Sequence, residues 1–432
     1  MNKPNTSNAR RHFLRLLAAS PALPLLDLPG FMQNALAAEM DPIGLTAATL
    51  KSLDDYGAAI SSPKQATNIF DLEQTAQRKL HVGHNAMLAA VEDQATLRAN
   101  REGFKRYELR PRRLVDVSKT DMSMTLFGAH WDMPLILCPV GNQGAFNPEA
   151  EVAVARAAKA RKVIQTLSTA ANRSIEDVAA ARGAPVWYQL YASPNWSMTR
   201  AMIKRAEAAG SQVMAFTVDD QGGSNREVVT KVRRQNAAFC SSCHIVDPKE
   251  VAGEAPYRGM GGGENPMRAT PPLGPPQMDA GTPTWDYVKR IKDTTKMKLL
   301  IKGITTREDA ELAMKYGADG VWLSNHGGRV DNTGRSTIEC VPEVVAGVAG
   351  RGPVIVDSGF RRGADIFKAL ALGATAVGVG RPYIWGLASF GQDGVEAAIN
   401  ILHAELLQVM QQSGTTSLAA INKNYIADRA RF

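Results

Sequence analysis

The chain has 432 residues, of which 44% are hydrophobic and 21% charged, and it carries a net charge of +8. This composition is typical of a globular protein and excludes a disordered chain. The length suits one barrel of about 250 residues with extensions better than two unrelated domains. The basic excess is modest and lacks a long Lys/Arg run after residue 38, so nucleic acid is not an expected partner.

The N-terminus has the three regions of a twin-arginine signal peptide in the right order. Arg10-Arg11 is followed by an apolar run over 16–28 and by a small-residue cleavage site at 35–37. The alternative, an amphipathic first helix of the domain, does not require this order. Proline and aspartate interrupt the apolar run, so it is too short for a stable membrane span. We expect a signal peptide over 1–38, export to a bacterial periplasm and a soluble mature chain of net charge about +5.

The mature chain divides into a cap and a repeating region. Residues 39–127 contain predicted helices over 71–82 and 92–104, and we expect them to form an N-terminal helical cap. From residue 128 to 432 a short apolar run, a turn and an amphipathic helix recur, as in parallel strands with helical crossovers. The predicted strands are Leu135–Cys138, Val163–Leu167, Val186–Leu190, Val213–Val218, Leu299–Ile301, Val321–Leu323, Val354–Val356 and Ala376–Val379.

Eight strands of this kind predict an α/β fold, a (β/α)₈ TIM barrel. A doubly wound open sheet would show fewer runs and a Gly-rich nucleotide loop after the first strand. Polar side chains at the strand ends indicate an active site at the carboxyl-terminal face of a barrel. These residues are Ser168, Tyr191, Asp219, Lys302, Asn325 and Asp357.

Four strand-end residues form a candidate site for oxidising an alcohol beside a carboxylate. His326 supplies a base of near-neutral pKa, and Asp219 would stabilise the imidazolium. Arg329 and Arg226 are candidate carboxylate ligands. Each residue alone is as readily read as part of a structural ion pair, but their occurrence on different strands of one barrel favours a shared site.

The last strands carry features typical of a flavin phosphate site. Lys302 places a cation at the barrel rim, where it would stabilise an anionic reduced flavin or simply form a salt bridge. Residues 357–363 and 378–382 are glycine-rich turns with arginines after the seventh and eighth strands, where barrels commonly bind phosphate.

Several motifs together resemble the FMN-dependent 2-hydroxy acid oxidising enzymes: glycolate oxidase, lactate oxidase, mandelate dehydrogenase and the flavin domain of yeast flavocytochrome. The resemblance extends from residue 92 to the C-terminus. It rests on Glu92-Asp93-Gln94, Arg110-Pro111-Arg112, Asp116-Val117-Ser118, Thr217-Val218-Asp219, Leu300-Ile301-Lys302-Gly303, Ser324-Asn325-His326-Gly327 and Arg361-Arg362-Gly363.

The resemblance implies a role for each matching residue. His326 would be the catalytic base and Asp219 its partner, with Arg226 and Arg329 on the substrate carboxylate and Tyr191 on the substrate hydroxyl. It leaves open whether His326 takes the hydroxyl proton or the α-proton, and it implies a homo-oligomer. FMN would be held by Val140, Gly141, Ser168, Gln189, Thr217, Lys302 and Ser324, and its ribityl phosphate by Asp357, Gly359, Arg361, Gly380 and Arg381.

The chain departs from the family at two positions that usually carry aromatic side chains. Ala86, beside Met87, stands where a tyrosine is usual, and Thr169–Ala171 replace an aromatic after the second strand. These changes predict a roomier pocket for a bulkier 2-hydroxy acid. A shifted cap helix could instead bring Tyr56 or His84 into the gap.

A larger departure lies in the predicted insertion over 220–283, after the fourth strand. Cys240-Ser241-Ser242-Cys243-His244 matches the attachment signature of covalent haem c, with His244 as an axial ligand of the iron and no other metal expected. Met260, Met267 and Met278 are candidate sixth ligands. The alternative is a disulfide or a redox-active dithiol between Cys240 and Cys243.

These features predict a periplasmic FMN-dependent enzyme that oxidises a 2-hydroxy acid and passes electrons through the haem to an external cytochrome c. Without haem, it would be an oxidase using oxygen or a quinone-linked dehydrogenase. An FMN-dependent isomerase is the remaining alternative, but its diphosphate substrate does not call for the His326, Arg226 and Arg329 set. Cys138 and Cys340 are interpreted as ordinary buried small residues.

Overall fold

The computed structural model describes residues 57–220, 223–235, 266–267, 273, 283–330 and 332–431. Eight parallel strands close into a barrel in sequence order, which confirms the predicted fold class. The predicted signal peptide and the Cys240–His244 motif lie outside the described residues. The barrel strands are β4 (Leu135–Leu137), β5 (Ile164–Ser168), β6 (Trp187–Leu190), β7 (Val213–Thr217), β8 (Lys298–Ile304), β9 (Gly320–Leu323), β10 (Val354–Val356) and β11 (Ala376–Val379).

Helices cover the outside of the barrel and its carboxyl-terminal end. Within the described ranges, no helix is both long enough and apolar enough to cross a membrane. The last long helix is kinked where Phe390 and Gly391 leave helical geometry. The helices are α1 (Ile69–Lys79), α2 (Val82–Ala86), α3 (Ala95–Glu102), α4 (Ala150–Ala160), α5 (Ile175–Arg182), α6 (Trp196–Ala208), α7 (Glu227–Gln235), α8 (Trp285–Thr294), α9 (Arg307–Lys315), α10 (Thr337–Val348), α11 (Gly363–Ala371) and α12 (Arg381–Ser413).

The barrel interior is apolar in its lower part and polar in its upper part, toward the carboxyl-terminal ends of the strands. Alternate residues on a strand share a face, and Trp187, Ala215 and Trp322 belong to an inner apolar cluster, so polar residues two positions later lie above them. A hairpin of β2 (Met124–Leu126) and β3 (Ala129–Trp131) packs on this cluster through Leu126. The predicted boundary between residues 127 and 128 falls in its turn. The inward polar positions are Gln189, Thr217, Lys302, Ser324 and Asp357.

The cap helices start and end where local hydrogen bonds dictate. α1 begins earlier than the predicted 71–82 because Asn68 and Asp71 form a capping box, and it ends at Lys79 because Leu80 is extended. α3 begins later than the predicted residue 92 because Gln94 adopts a left-handed conformation.

Side-chain and backbone hydrogen bonds hold the cap over the barrel mouth. The amides of Asn100 and Asn325 pair through two bonds of 2.9 and 2.8 Å. The Val91 N–H donates to the Gly328 carbonyl at 2.9 Å, and the Glu92 N–H donates to Asn225. A small sheet of β1 (Tyr107–Leu109) and β12 (Ile426–Asp428) joins the segment after the cap to the C-terminus.

Gly359 allows the cap to approach the barrel closely, and an alanine there should be costly. Its φ is +86°, and an added Cβ would lie 2.4 Å from the Asn100 carbonyl oxygen. We expect Gly359→Ala to lower the free energy of urea unfolding by about 3 kcal/mol or more, from left-handed strain plus overpacking. Gly350→Ala is the matched control, because Gly350 has a φ of +71° with open space around it. Equal losses in the two variants would contradict the packing argument.

Candidate active site

A cavity of about 540 Å³ opens at the carboxyl-terminal ends of the barrel strands. Its wall includes Tyr191, Arg226, His326 and Arg329, which the sequence assigns to substrate and catalysis. The remaining predicted residues Gln189, Ser324 and Asp219 support lining residues through hydrogen bonds. The predicted cofactor residues in the wall are Val140, Gly141, Ser168, Thr217, Lys302, Asp357, Gly359, Arg361, Gly380 and Arg381.

His326 lies between Asp219 and Tyr191 in a continuous hydrogen-bonded chain. Its Nδ1 is 3.0 Å from Asp219 Oδ1, and its Nε2 is 3.2 Å from the Tyr191 hydroxyl. The carboxylate accepts only, so the geometry assigns the proton to Nδ1 and leaves Nε2 as the acceptor. The side chains of Asp219 and His326 are 6% and 16% exposed, so solvent screens this pair little.

Local backbone geometry sets the position of this pair. His326 has a φ of +55°, and its N–H donates to Ser324 Oγ at 3.0 Å. Left-handed residues other than glycine are uncommon and concentrate at functional sites. Gly303 has a φ of +106°, and a Cβ there would lie 2.7 Å from that of Asp219. The glycine after Lys302 therefore makes room for Asp219 beside His326.

Electrostatics keep Tyr191 protonated and Asp219 ionised. Burial, aided by the carboxylates of Asp219 and Asp220, raises the pKa of Tyr191 to about 12. Burial alone would raise the pKa of Asp219, but His326 and Lys302 outweigh it and lower that pKa. At neutral pH the phenol is a hydrogen-bond donor and the carboxylate is available to stabilise an imidazolium.

Arg226 and Arg329 form a cationic wall of the cavity. Burial and the neighbouring Arg226 lower the pKa of Arg329 to about 10, and its Nε has no hydrogen-bond partner among the described residues. The Arg226 Nε donates to Ser224 Oγ at 2.9 Å. Two guanidinium groups that repel each other in a cavity are stabilised by a bound anion, and a carboxylate suits their geometry.

A row of polar side chains crosses three neighbouring strands under the cavity. The Gln189 amide oxygen accepts from Ser168 Oγ at 3.2 Å, and the amide nitrogen donates to Thr217 Oγ1 at 3.0 Å. All three residues are buried. Their bonds fix the orientation of each group, so the row presents a set pattern of donors and acceptors to a planar ligand above it.

Lys302 belongs to a second buried polar cluster on the opposite strands. Its ammonium donates to Ser324 Oγ at 3.0 Å and lies 3.8 Å from Asp357 Oδ2. Asp357 also accepts from the Trp322 indole N–H at 3.0 Å and from the Ser358 hydroxyl at 2.6 Å. Burial lowers the pKa of Lys302, but Asp357 and Asp219 outweigh burial and raise it above its usual value. Lys302 therefore stays protonated at neutral pH, beside the carboxylate of Asp357.

Two more arginines lie at the end where the sequence predicts a phosphate. Burial lowers the pKa of Arg361 to about 10. Burial and the positive charge of Arg361 together lower the pKa of Arg381 to about 9. The Arg381 side chain donates to the Leu88 and Gly327 carbonyls, and its buried Nη2 has no partner among the described residues. α12 begins at Arg381, so its N-terminus also faces the cavity. This charge and donor set fits a phosphate group.

The positions that depart from the family lie at the cavity or close to it. Ala170 and Met87 line the wall, while Ala86 is buried behind it. His84 is buried but does not line the cavity, so it does not fill the space of a missing aromatic. Tyr56 lies outside the described residues.

Sequence reasoning missed some residues of the cavity. Cys138 is buried as predicted, but it also lines the cavity, with its Sγ 3.7 Å from Asp357 Oδ2. Burial, followed by the charge of Asp357, raises the pKa of the Cys138 thiol well above its usual value, so it is not a thiolate. Trp322 and Asp220 carried no motif signal, and only the barrel geometry brings them to the site.

Most of the chain is similar in sequence to known proteins. Residues 76–428 match the model of the FMN-dependent dehydrogenase family. The chain is 36% identical over 369 residues to 2-hydroxyacid oxidase of Dictyostelium discoideum, covering 84% of this chain and 91% of that protein. It is 38% identical over 381 residues to glycolate oxidase 3 of Oryza sativa subsp. indica, covering 84% and 98%.

The structure also superposes on solved structures of similar sequence. A soluble mutant of the membrane-associated (S)-mandelate dehydrogenase from Pseudomonas putida superposes with a TM-score of 0.74 at 31% identity, covering 84% of this chain and 100% of that one. A putative lactate oxidase of Pediococcus acidilactici gives a TM-score of 0.72 at 30% identity, covering 86% and 96%. Together with the matching family model, these similarities show that the chain belongs to the FMN-dependent dehydrogenase family and is an FMN-dependent oxidoreductase.

Proposed function

We propose that this enzyme oxidises a 2-hydroxy acid to the 2-oxo acid, with His326 as the base. The main support for this proposal is that the hydrogen-bonded chain Asp219–His326–Tyr191 and the pair of Arg226 and Arg329 meet in one cavity. Relatives named for 2-hydroxy acids, glycolate and mandelate support the substrate class. An isomerase would have no use for a carboxylate-binding arginine pair beside the base.

The substrate would be oriented by its carboxylate. Arg226 and Arg329 bind the carboxylate, which places the adjacent carbinol near His326 Nε2 and the Tyr191 hydroxyl. His326 Nε2 takes one proton, and the Asp219 carboxylate stabilises the imidazolium that results. The Tyr191 phenol donates to the substrate oxygen as its charge changes. Both orders of proton removal, from the hydroxyl or from the α-carbon, use these same residues.

The cavity floor would hold FMN. FMN would supply the acceptor for the two electrons released when the alcohol becomes a ketone. Lys302 would supply a buried positive charge to the flavin ring, and the Ser168–Gln189–Thr217 row would offer it fixed hydrogen bonds. Asp357, Gly359, Arg361, Gly380 and Arg381, which line the cavity, would hold the ribityl phosphate.

We further propose a periplasmic location, with export by the twin-arginine signal in residues 1–38 and covalent haem c at Cys240, Cys243 and His244 as the next electron carrier. The insertion starts at the cavity, since Arg226 and Val229 line it, and Cys240 follows the end of α7 at Gln235 by five residues.

The sixth haem ligand would come from Met260 or Met278. Met267, the third methionine that the sequence offers, is fully buried in the main hydrophobic core and is therefore not available to a haem. Haem at this site makes the physiological partner an external cytochrome c. An unoccupied motif would direct the electrons to oxygen or to a quinone instead.

One absorption experiment tests both proposals. Protein matured in a periplasm with haem-attachment machinery is mixed anaerobically with a panel of 2-hydroxy acids, and 2-oxo acid is assayed. We expect bleaching of the flavin band together with a sharp reduced c-type haem band that survives denaturation. Absence of bleaching with every acid would overturn the substrate class. Bleaching without a haem band would overturn only the electron route, and Cys240→Ser/Cys243→Ser protein provides the matched control.

A further inference from the structure

Asp220 is a carboxylate at the cavity wall for which the proposed chemistry has no use. It lines the cavity together with Tyr191, Arg226 and Arg329, and it is only partly exposed. Unlike Asp219, it has no hydrogen bond or ion pair to another described residue. A partly buried carboxylate with no hydrogen-bond donor among the described residues is available to accept one from a ligand.

Asp220 interacts electrostatically with other groups of the cavity. Burial is the main cause that raises the pKa of Tyr191, and the charge of Asp220 raises this pKa further. Burial lowers the pKa of Arg329, and the charge of Asp220 partly offsets that decrease. Its field therefore reaches the place where an anionic substrate would bind. A carboxylate there weakens the binding of every simple 2-hydroxy acid, because like charges repel. The position becomes favourable only if the substrate brings a hydrogen-bond donor to it.

The cavity has room for such a group. Ala170 presents only a methyl group to the wall, and neither Ala86 nor His84 projects into it. A substituent on the substrate can therefore extend past the reacting carbon while the carboxylate stays on Arg226 and Arg329.

We infer that Asp220 is a specificity-determining residue that accepts a hydrogen bond from a hydroxyl or ammonium group on the side chain of the substrate. This inference rests on the proposed function, since it names the class of 2-hydroxy acid that the same site prefers. We expect a charge-assisted hydrogen bond to raise kcat/KM for an acid that carries the donor by about tenfold to a hundredfold over an acid that lacks it. Each factor of ten corresponds to 1.4 kcal/mol. An acid with a second carboxylate at that position would be rejected.

A set of nearly isosteric substrates tests the assignment. 2-Hydroxypentanoate ends in a methyl group, 2,4-dihydroxybutanoate in a hydroxyl and 4-amino-2-hydroxybutanoate in an ammonium. We expect wild type to favour one or both donor-bearing acids over 2-hydroxypentanoate by about tenfold or more in kcat/KM. Asp220→Asn should remove most of the preference for the ammonium, because it removes the charge. Asp220→Ala should remove the preference for both donors, because it also removes the acceptor.

Ratios within each variant cancel any loss of folded enzyme, and flavin absorbance reports the FMN content. Asp393→Asn is the matched control, because Asp393 is exposed and does not line the cavity. If Asp220→Asn and Asp220→Ala change kcat/KM for all three acids by the same factor, Asp220 only tunes the arginines and the inference is wrong. Oxidation of 2-hydroxypentanoate without preference for either donor would overturn the inference but leave the proposed function intact. Failure of every 2-hydroxy acid to reduce the flavin would overturn both.

Discussion

His326→Gln is expected to lower the rate of flavin reduction by a 2-hydroxy acid by a factor of about 10³ or more, because it removes the imidazole that the proposed function assigns as the base. Glutamine keeps a hydrogen-bonding group of similar length, so the Asp219 carboxylate retains a donor nearby. Stopped-flow measurement of flavin bleaching under anaerobic conditions gives the rate of this step directly, apart from the electron acceptor.

Asp219→Asn should lower the same rate by a smaller factor. The asparagine leaves a hydrogen-bonding partner for His326 Nδ1, but it no longer stabilises the imidazolium. Because the two residues act as a unit, the double variant should be scarcely slower than His326→Gln alone. Multiplicative losses in the double variant would show that the two side chains act independently.

The control for both variants is His130→Gln, which changes an exposed histidine on the hairpin at the other end of the barrel. FMN content should stay at the wild-type level in all of them, since neither His326 nor Asp219 lies in the phosphate end of the cavity. Flavin reduction by His326→Gln within about tenfold of wild type would remove His326 from the role of base.

The barrel was predictable because each of its strands buries both faces and so appears as a short continuous apolar run. Strand ends were less certain. β8 extends to Ile304, beyond the predicted Ile301, because its pairing with β9 continues across an irregularity at Gly303. Because that continuation depends on pairing with a neighbouring strand, the local sequence does not predict it.

The candidate site was predictable to the extent that its residues follow strands in recognisable motifs. Asp219 and His326 follow the ends of β7 and β9, Lys302 lies in the last part of β8, and the closed barrel brings them together. Asp220 and Trp322 gave no such signal, because their roles depend on which way a side chain points inside the barrel. The left-handed backbone of His326 is likewise a property of the folded turn.

The phosphate end of the cavity yields the second large expected effect. Arg381→Met should weaken FMN binding by about a hundredfold, and Arg361→Met should do the same, because each loses a charge-assisted contact to the phosphate in a partly dehydrated site. Riboflavin lacks the phosphate, so its dissociation constant should change far less in either variant. The measured quantity is the ratio of the two dissociation constants, obtained by titrating apoprotein and following flavin fluorescence.

Arg362→Met separates this effect from a general loss of positive charge. Arg362 is the next residue along the chain, but it donates to Glu405 at 2.7 Å and does not line the cavity. The preference for FMN over riboflavin should therefore remain at the wild-type value in this control. The preference in wild type should also fall as salt concentration rises, and fall less steeply in the Arg361 and Arg381 variants, since each removes one charge that salt can screen. If Arg381→Met weakens FMN and riboflavin equally, its contribution is to hold the Leu88 and Gly327 carbonyls and not to bind the phosphate.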